Sequence, residues 1–111
     1  MTDLSPEGRT LQQKLLQRYL DSLPGKRTDL AVAMNDVEKE DFSPETLSRL
    51  TKLAHRLAGS AGSYGLDEVG AMALALERAI PGSADDRRQR DAIRFCLKDL
   101  QDALQEAQKK T

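Results

Sequence analysis

The chain is poor in several residue types that other classes of protein need. It has one cysteine, Cys96, one histidine, His55, and no tryptophan. One cysteine excludes an internal disulfide, and one cysteine with one histidine cannot assemble a zinc site from soft ligands, so we expect no metal site. Valine and isoleucine together number five, against 17 leucines and 13 alanines. Because this balance favours helices over sheets, we expect an all-α protein.

An excess of charge of one sign is also missing. Lys and Arg number 17, Asp and Glu number 18, and the formal net charge is −1. We therefore expect no binding to nucleic acid or to a membrane surface. Every apolar run is short, and Met1 is followed by Thr2-Asp3 rather than by a basic and then hydrophobic leader. These features lead us to expect a cytoplasmic protein.

Apolar residues recur at helical spacing in five segments of a chain whose length fits one domain, residues 1–111. The predicted helices cover about 11–23, 28–40, 44–63, 66–80 and 84–109. Because short turns join the last four, we expect an up-down-up-down four-helix bundle with an additional short N-terminal helix.

Capping residues set the predicted helix boundaries. Pro24-Gly25 is expected to end the first helix, and Thr28-Asp29 to cap the second. Ser43-Pro44-Glu45 is a strong start signal for the third, because serine caps free amides, proline suits the first position and glutamate complements the dipole. Ser83 with Asp86 resembles a capping box before the fifth helix.

His55 lies on the third predicted helix, away from its apolar face. At 100° per residue it stands about 130° from the centre of the apolar arc, so its imidazole should reach water. The arc consists of Leu47, Leu50, Ala54, Leu57, Ala61 and Tyr64. An exposed neutral imidazole is nucleophilic near pH 7 and can attack phosphorus without a separate base.

Two glycines, Gly59 and Gly62, are the nearest residues to His55 on the exposed face. Glycine inside a helix costs about 1 kcal/mol relative to alanine, and room for a docking partner is one reason to keep two of them. The alternative is that they loosen the end of the helix together with Gly65. The sequence offers no nucleotide-binding glycine loop and no catalytic triad, so we expect a carrier rather than an enzyme with its own ATP site.

The stretch from Ala54 to Glu77 resembles the signature of histidine phosphotransfer (HPt) domains of two-component phosphorelays. That signature runs His-x-Leu-Lys-Gly-Ser-Ala/Ser, then a glycine ten residues after the histidine, then a hydrophobic helix that ends in Leu-Glu. The matching positions are His55, Leu57, Gly59, Ser60, Ala61, Gly65 and the pair Leu76-Glu77.

The resemblance implies that His55 accepts a phosphoryl group from a receiver-domain aspartate and passes it to another receiver aspartate. The implied partners are response-regulator receiver domains or a hybrid histidine kinase, and Mg²⁺ is expected on the receiver. Gly59 would leave room for the docking receiver, with Gly62, Ala58 and Ser60 around the site. We expect a monomer, and Met1 with the full set of helices favours a free-standing protein, although a segment of a hybrid kinase would show the same pattern.

One residue departs from the signature: the usual lysine three residues after the histidine is Ala58. Lys52 lies about 60° from His55 on the helical wheel and would supply the same charge, with Arg56 a weaker candidate at about 100°. Alternatively, both are ordinary solvated charges and the partner brings the cation. The main alternative to phosphoryl transfer is a docking module that binds or sequesters a response regulator without transfer. A further alternative is an unrelated helical scaffold.

Overall fold

The computed structural model describes residues 6–109, and this part of the chain is helical without strands. The helices are α1 Pro6–Asp21, α2 Leu23–Lys39, α3 Pro44–Ser63, α4 Asp67–Ala79 and α5 Arg87–Gln108. α3 packs against α4, α4 against α5, and α2 against both α3 and α5, so the chain forms a helical bundle. The predicted all-α class is confirmed. No helix in the described part combines the length and apolar character needed to cross a membrane.

The apolar faces of α2 to α5 meet in one core. Its largest fully buried side chains are Leu23, Leu30, Leu47, Leu50, Leu76, Ile93, Leu100 and Leu104. Burying one such side chain stabilises a fold by about 1.5–3 kcal/mol, so leucine packing is the main force that fixes the helices relative to one another. Among residues 10–21 of α1, by contrast, only Tyr19 and Leu20 are buried, and residues 10–18 are exposed.

The start of α3 is set by its cap. The Ser43 hydroxyl accepts a hydrogen bond from the Thr46 amide at 3.3 Å, and Pro44 occupies the first helical turn. Glu45 in the same turn complements the helix dipole. Most of the predicted apolar arc of α3 is buried, but Tyr64 lies at the C-cap and is 38% exposed.

The predicted boundary between the first two helices is wrong. α1 ends at Asp21 and α2 begins at Leu23, so Pro24-Gly25 lies in the first turn of α2. Proline is tolerated there because a first-turn amide has no helical partner in any case. Thr28 lies inside α2, where its hydroxyl donates to the Pro24 carbonyl at 3.1 Å instead of capping a helix.

The capping box of α5 is also three residues later than predicted. Asp86, not Ser83, is the N-cap, and its carboxylate accepts a hydrogen bond from the Gln89 amide at 2.8 Å. The Gln89 side-chain oxygen accepts in return from the Asp86 amide at 3.4 Å. As a result α5 begins at Arg87, because the box pairs aspartate with the glutamine three residues after it.

The turn between α2 and α3 is fastened to α5. Asp41 and Phe42 both have positive φ, 54° and 58°. The buried Phe42 ring lies under the guanidinium groups of Arg90 and Arg94, 4.5 and 5.1 Å from its centroid. Arg90 also donates to Asp41 at 2.7 Å, and Arg94 forms two hydrogen bonds with Glu38 at 2.6 and 2.8 Å. These contacts hold the residues from which α3 starts.

Candidate functional site

His55 lies in the middle of α3 on the solvent face, and its side chain is 73% exposed. The ring is nevertheless held in place. Its Nδ1 atom lies 2.9 Å from Oε2 of Glu77, which comes from the last turn of α4. The Glu77 side chain is only 25% exposed, so the neighbouring helix provides a partly buried carboxylate on one side of an open imidazole.

This hydrogen bond decides which ring nitrogen can react. A carboxylate has no proton to donate, so in this pair Nδ1 of His55 carries the hydrogen and donates it to Glu77. In the neutral ring Nε2 then keeps its lone pair. The arrangement presents Nε2 as a nucleophile toward solvent.

Helical periodicity did not identify Glu77 as a site residue. It is 22 positions from His55, on another helix, and only the packing of α4 along α3 joins the two. The signal in the sequence was the Leu76-Glu77 pair that closes the signature. Leu76 is buried in the core, and the next residue, Glu77, has its carboxylate on the side of α4 that adjoins α3.

Gly59 and Gly62 lie within α3 and are exposed. A Cβ atom added at either position would have no other heavy atom of the described chain within 4 Å beyond the local helix. Packing inside the bundle therefore gives no reason for glycine at these two positions. Gly65 is different: its φ of +77° is the left-handed conformation that ends a helix, which is a role suited to glycine.

The structure separates Ser60 from His55. The Ser60 hydroxyl forms a 2.7 Å hydrogen bond with the Tyr19 hydroxyl, and the Tyr19 ring stacks on Tyr64 with 4.2 Å between centroids. Ser60 therefore anchors the end of α1 to α3. Ala58 is partly buried and packs against the core, where its carbonyl lies next to Gly70 of α4.

Lys52 and Arg56 are exposed on α3, and Lys52 also lines a depression that includes Ile80, just beyond the end of α4. Within residues 6–109 neither side chain forms an ion pair with a described acid. Both line the groove between α2 and α3. The site therefore combines a carboxylate that contacts His55 with two exposed cations on neighbouring positions of α3. Elsewhere in the described part of the chain, no group of three or more His, Cys, Asp or Glu residues is arranged to hold a metal ion.

A family model, that of the Hpt domain, matches residues 14–110, nearly the whole chain. The chain belongs to the Hpt domain family. The resemblance expected from the signature around His55 is thus confirmed. Hpt domains carry phosphoryl groups in two-component relays without an ATP site of their own, and they interact with receiver domains and histidine kinases. No curated protein and no solved structure matches the chain significantly.

Proposed function

We propose that this Hpt protein is a phosphorelay intermediate in which His55 accepts a phosphoryl group from one receiver aspartate and passes it to another. The observation that carries the proposal is the hydrogen bond between His55 Nδ1 and Glu77 at 2.9 Å on an otherwise exposed ring. It leaves Nε2 as the reactive atom. An exposed imidazole with one free lone pair suits reversible transfer between partners that dock in turn.

In the forward step, Nε2 of His55 attacks the phosphorus of the receiver's aspartyl phosphate. An N–P bond forms, the P–O bond to aspartate breaks, and the aspartate leaves as a carboxylate. The proton on Nδ1 stays in its hydrogen bond, so the ring becomes cationic as the N–P bond forms. The Glu77 carboxylate then stabilises that positive charge. Onward transfer is the reverse of this step with a second receiver.

The receiver supplies the remaining chemistry in this proposal. Its Mg²⁺ would neutralise the oxygens of the transferring phosphoryl group. Gly59 and Gly62 support the proposal because they leave open space beside His55 that a receiver's active site can occupy. This Hpt protein contributes a nucleophile, an oriented ring and a clear approach.

We also propose that Lys52 replaces the missing cation at position 58. It is exposed and has no carboxylate partner among the described residues, so its ammonium group is available to phosphoryl oxygens. Ala58, at the position where the signature has lysine, is partly buried against the core. Arg56 is the second candidate, on the following turn.

The finer fold assignment belongs to the same proposal. We infer that α2 to α5 run up-down-up-down, since α2 touches both α3 and α5 and the connections between successive helices are short. α1 is the additional N-terminal helix. We propose that the protein acts as a cytoplasmic monomer, because a single copy carries the complete His55 site.

The experiment that tests the function is transfer from a purified receiver domain bearing ³²P on its aspartate, in the presence of Mg²⁺. We expect native protein to gain acid-labile, base-stable label, and His55→Gln to gain none. Because His55 is 73% exposed, the variant should melt within a few degrees of native protein, as surface changes usually shift stability by less than about 0.5 kcal/mol. Label on the His55→Gln variant would refute His55 as the site. If the native protein bound the receiver but gained no label, the docking-module alternative would be supported.

Lys52 is tested by rescue. Lys52→Ala should slow transfer severalfold, and Ala58→Lys in the same protein should restore part of the rate, since a cation near developing charge matters most where water is excluded. Arg56→Ala controls for a general loss of positive charge. Equal rates for native and Lys52→Ala protein with two different receivers at low salt would mean that the receiver brings the cation.

A further inference from the structure

Gly70 of α4 lies against the backbone of α3. A Cβ atom added to Gly70 would lie 3.5 Å from the carbonyl oxygen of Ala58, 3.6 Å from the amide nitrogen of Gly62 and 4.0 Å from the Cβ atom of Ala61. These are ordinary contact distances, so a methyl group fits, whereas a larger side chain directed at α3 would overlap with it. Among the glycines whose surroundings the structure describes, only Gly70 would bring an added Cβ within 4 Å of another helix.

This contact and the hydrogen bond to His55 belong to one register between the two helices. Gly70 and Glu77 are seven residues apart on α4, and Gly62 and His55 are seven residues apart on α3. Seven residues are nearly two helical turns, about 10.5 Å, so each pair lies on one side of its helix. Gly70 meets Gly62, and Glu77 meets His55, so the helices are antiparallel here.

Small buried residues accompany the close contact. Ala61 of α3 and Ala73, one turn after Gly70 on α4, are both fully buried. A close-packed interface transmits strain because it has no free space to absorb it. A side chain that displaced α4 at Gly70 would therefore also shift Glu77.

The hydrogen bond to His55 tolerates little change in the spacing of the helices. Nδ1 of His55 lies 2.9 Å from Oε2 of Glu77, and such bonds usually span about 2.7–3.2 Å. An increase of about 0.3 Å in this separation brings the bond to the end of that range unless the Glu77 side chain follows. Because that side chain is only 25% exposed, its neighbours restrict the adjustment.

We propose that Gly70 is a positioning residue for His55: its small size lets α4 lie close enough to α3 for Glu77 to hold Nδ1 of the ring. The inference rests on the proposed function, because it concerns the tautomer that accepts phosphate. Gly70 acts through Glu77 and takes no part in the chemistry itself. A larger residue at position 70 separates the helices and leaves the Nε2 lone pair available in only part of the molecules.

Gly70→Val tests the limit on side-chain size. The stiff, branched side chain of valine cannot turn wholly away from α3. We expect ¹⁵N NMR of the His55 ring to show mixed tautomers. Transfer from a ³²P-labelled receiver should slow by up to about tenfold, since the charged hydrogen bond to Glu77 is weakened. If Gly70→Val does not fold, Gly70→Ser, which adds one oxygen beyond Cβ, takes its place in each measurement.

Two further variants control for the change of residue. Gly70→Ala should keep the native ring spectrum, because its methyl group fits at ordinary contact distances. Ala75→Val places the same valine on the same helix, at an exposed position about 140° from Gly70. It should keep both the native ring spectrum and the native rate of transfer. A mixed spectrum in Ala75→Val as well would overturn the proposal, because the effect would then come from valine in α4 rather than from position 70.

A small phosphoryl donor separates positioning from receiver docking. Phosphoramidate needs no docking surface: Nε2 of His55 attacks its phosphorus, an N–P bond to the ring forms, and the P–N bond breaks as neutral ammonia leaves the protonated donor. Gly70→Val should slow this reaction by the same factor as transfer from the receiver, because the tautomer affects both. A native rate with phosphoramidate and a slow rate with the receiver would overturn the proposal in favour of an effect on docking.

A double-mutant cycle decides whether Gly70 acts through Glu77. Gly70→Val should slow transfer by a smaller factor in a Glu77→Gln background than in native protein, because the hydrogen bond that it disturbs is already weakened. Independent factors that multiply would overturn the proposal, as would a native ring spectrum in a folded Gly70→Val variant. Either result would leave His55 as the phosphoacceptor. A native protein that takes label from neither donor would overturn the proposed function as well.

Discussion

At the scale of single residues, one carboxylate decides how the proposed phosphoacceptor, His55, is presented. His55 is surrounded by little else: Gly59 and Gly62 have no side chain, and the ring is largely in solvent. A free imidazole exchanges its proton between the two nitrogens, so either could be the nucleophile. Glu77 removes that ambiguity by accepting from Nδ1. Reactivity at this site therefore depends on orientation as much as on exposure.

Glu77→Gln separates the charge of this partner from its size. The amide can accept from Nδ1–H or donate to an unprotonated Nδ1, so the tautomer is no longer fixed, and the cationic ring loses its counter-charge. We expect transfer to slow by about tenfold, in line with the weaker neutral hydrogen bond. ¹⁵N NMR of the His55 ring should show mixed tautomers.

Glu68→Gln is the matched control, since Glu68 is an exposed carboxylate in the first turn of α4, far along the helix from the Glu77 contact. It should transfer at the native rate. If Glu77→Gln transferred at that rate too, with an unchanged ring spectrum, the hydrogen bond would have no part in presenting Nε2.

At the scale of elements, α3 divides its surface between packing and display. Leu47, Leu50 and Leu57 are buried on one face, and His55 and Gly59 are exposed on the other. This division could be predicted because it depends only on periodicity and on a strong cap at Ser43. A helix fixed along one face by core leucines offers a rigid opposite face, which suits repeated docking by different partners.

Gly59→Leu tests whether the open face is needed for access. Because an added Cβ has no other group within 4 Å beyond the local helix and leucine favours helices over glycine, stability should be unchanged or rise by up to about 1 kcal/mol. Transfer from a receiver should fall sharply, since the side chain projects beside His55. Thermal melts and transfer rates measured on one preparation check both parts.

Gly25→Leu provides the control, because Gly25 is also helical, exposed and without neighbours around an added Cβ, but lies on α2. Native transfer by Gly59→Leu would remove the clearance argument, and collapse of that variant alone would mean that Gly59 has a packing role.

The boundary between α1 and α2 was placed wrongly for a physical reason. Pro24-Gly25 is typical of a helix end, yet the same proline fits the first turn of α2, and the choice between the two depends on Leu23 and Leu30 being buried. The Tyr19–Ser60 hydrogen bond spans 41 residues. Local signals specify a cap or a turn, and more than one local structure can satisfy them. Contacts between distant segments decide which of these structures forms. Helical periodicity carries no information about those contacts.

At the scale of the whole molecule, positive and negative charges nearly cancel, but paired and unpaired charges lie in different parts of the bundle. Lys52 and Arg56 of α3 are exposed near His55, while arginines of α5 are paired with acids of α2 and its turn. Arg94 joins Glu38 across these helices and also lies over the Phe42 ring. Charges at one end of the bundle thus stabilise it, whereas Lys52 and Arg56 in the α2–α3 groove form no ion pair with a described acid.

The Glu38–Arg94 pair makes stability depend on pH in a definite direction. Hydrogen bonding from Arg94 lowers the pKa of Glu38 below its ordinary 4.5. The unfolded chain therefore binds a proton at this residue at a higher pH than the folded chain does. The stabilisation is fully present above pH 4.5 and is lost as the pH falls through the lower pKa of the folded state. Because Glu38 is 40% exposed, solvent screening limits it to about 1 kcal/mol or less.

We expect the free energy of unfolding of native protein to fall more steeply below pH 4.5 than that of Glu38→Gln, which has no carboxylate to protonate. Glu40→Gln, at an exposed position just beyond α2, should follow the native curve. Urea titrations at several pH values measure both slopes. High salt should narrow the difference between native and Glu38→Gln, since it screens exposed charges. Parallel curves at low salt would mean that Arg94 stabilises the turn through its contact with Phe42 rather than through this carboxylate.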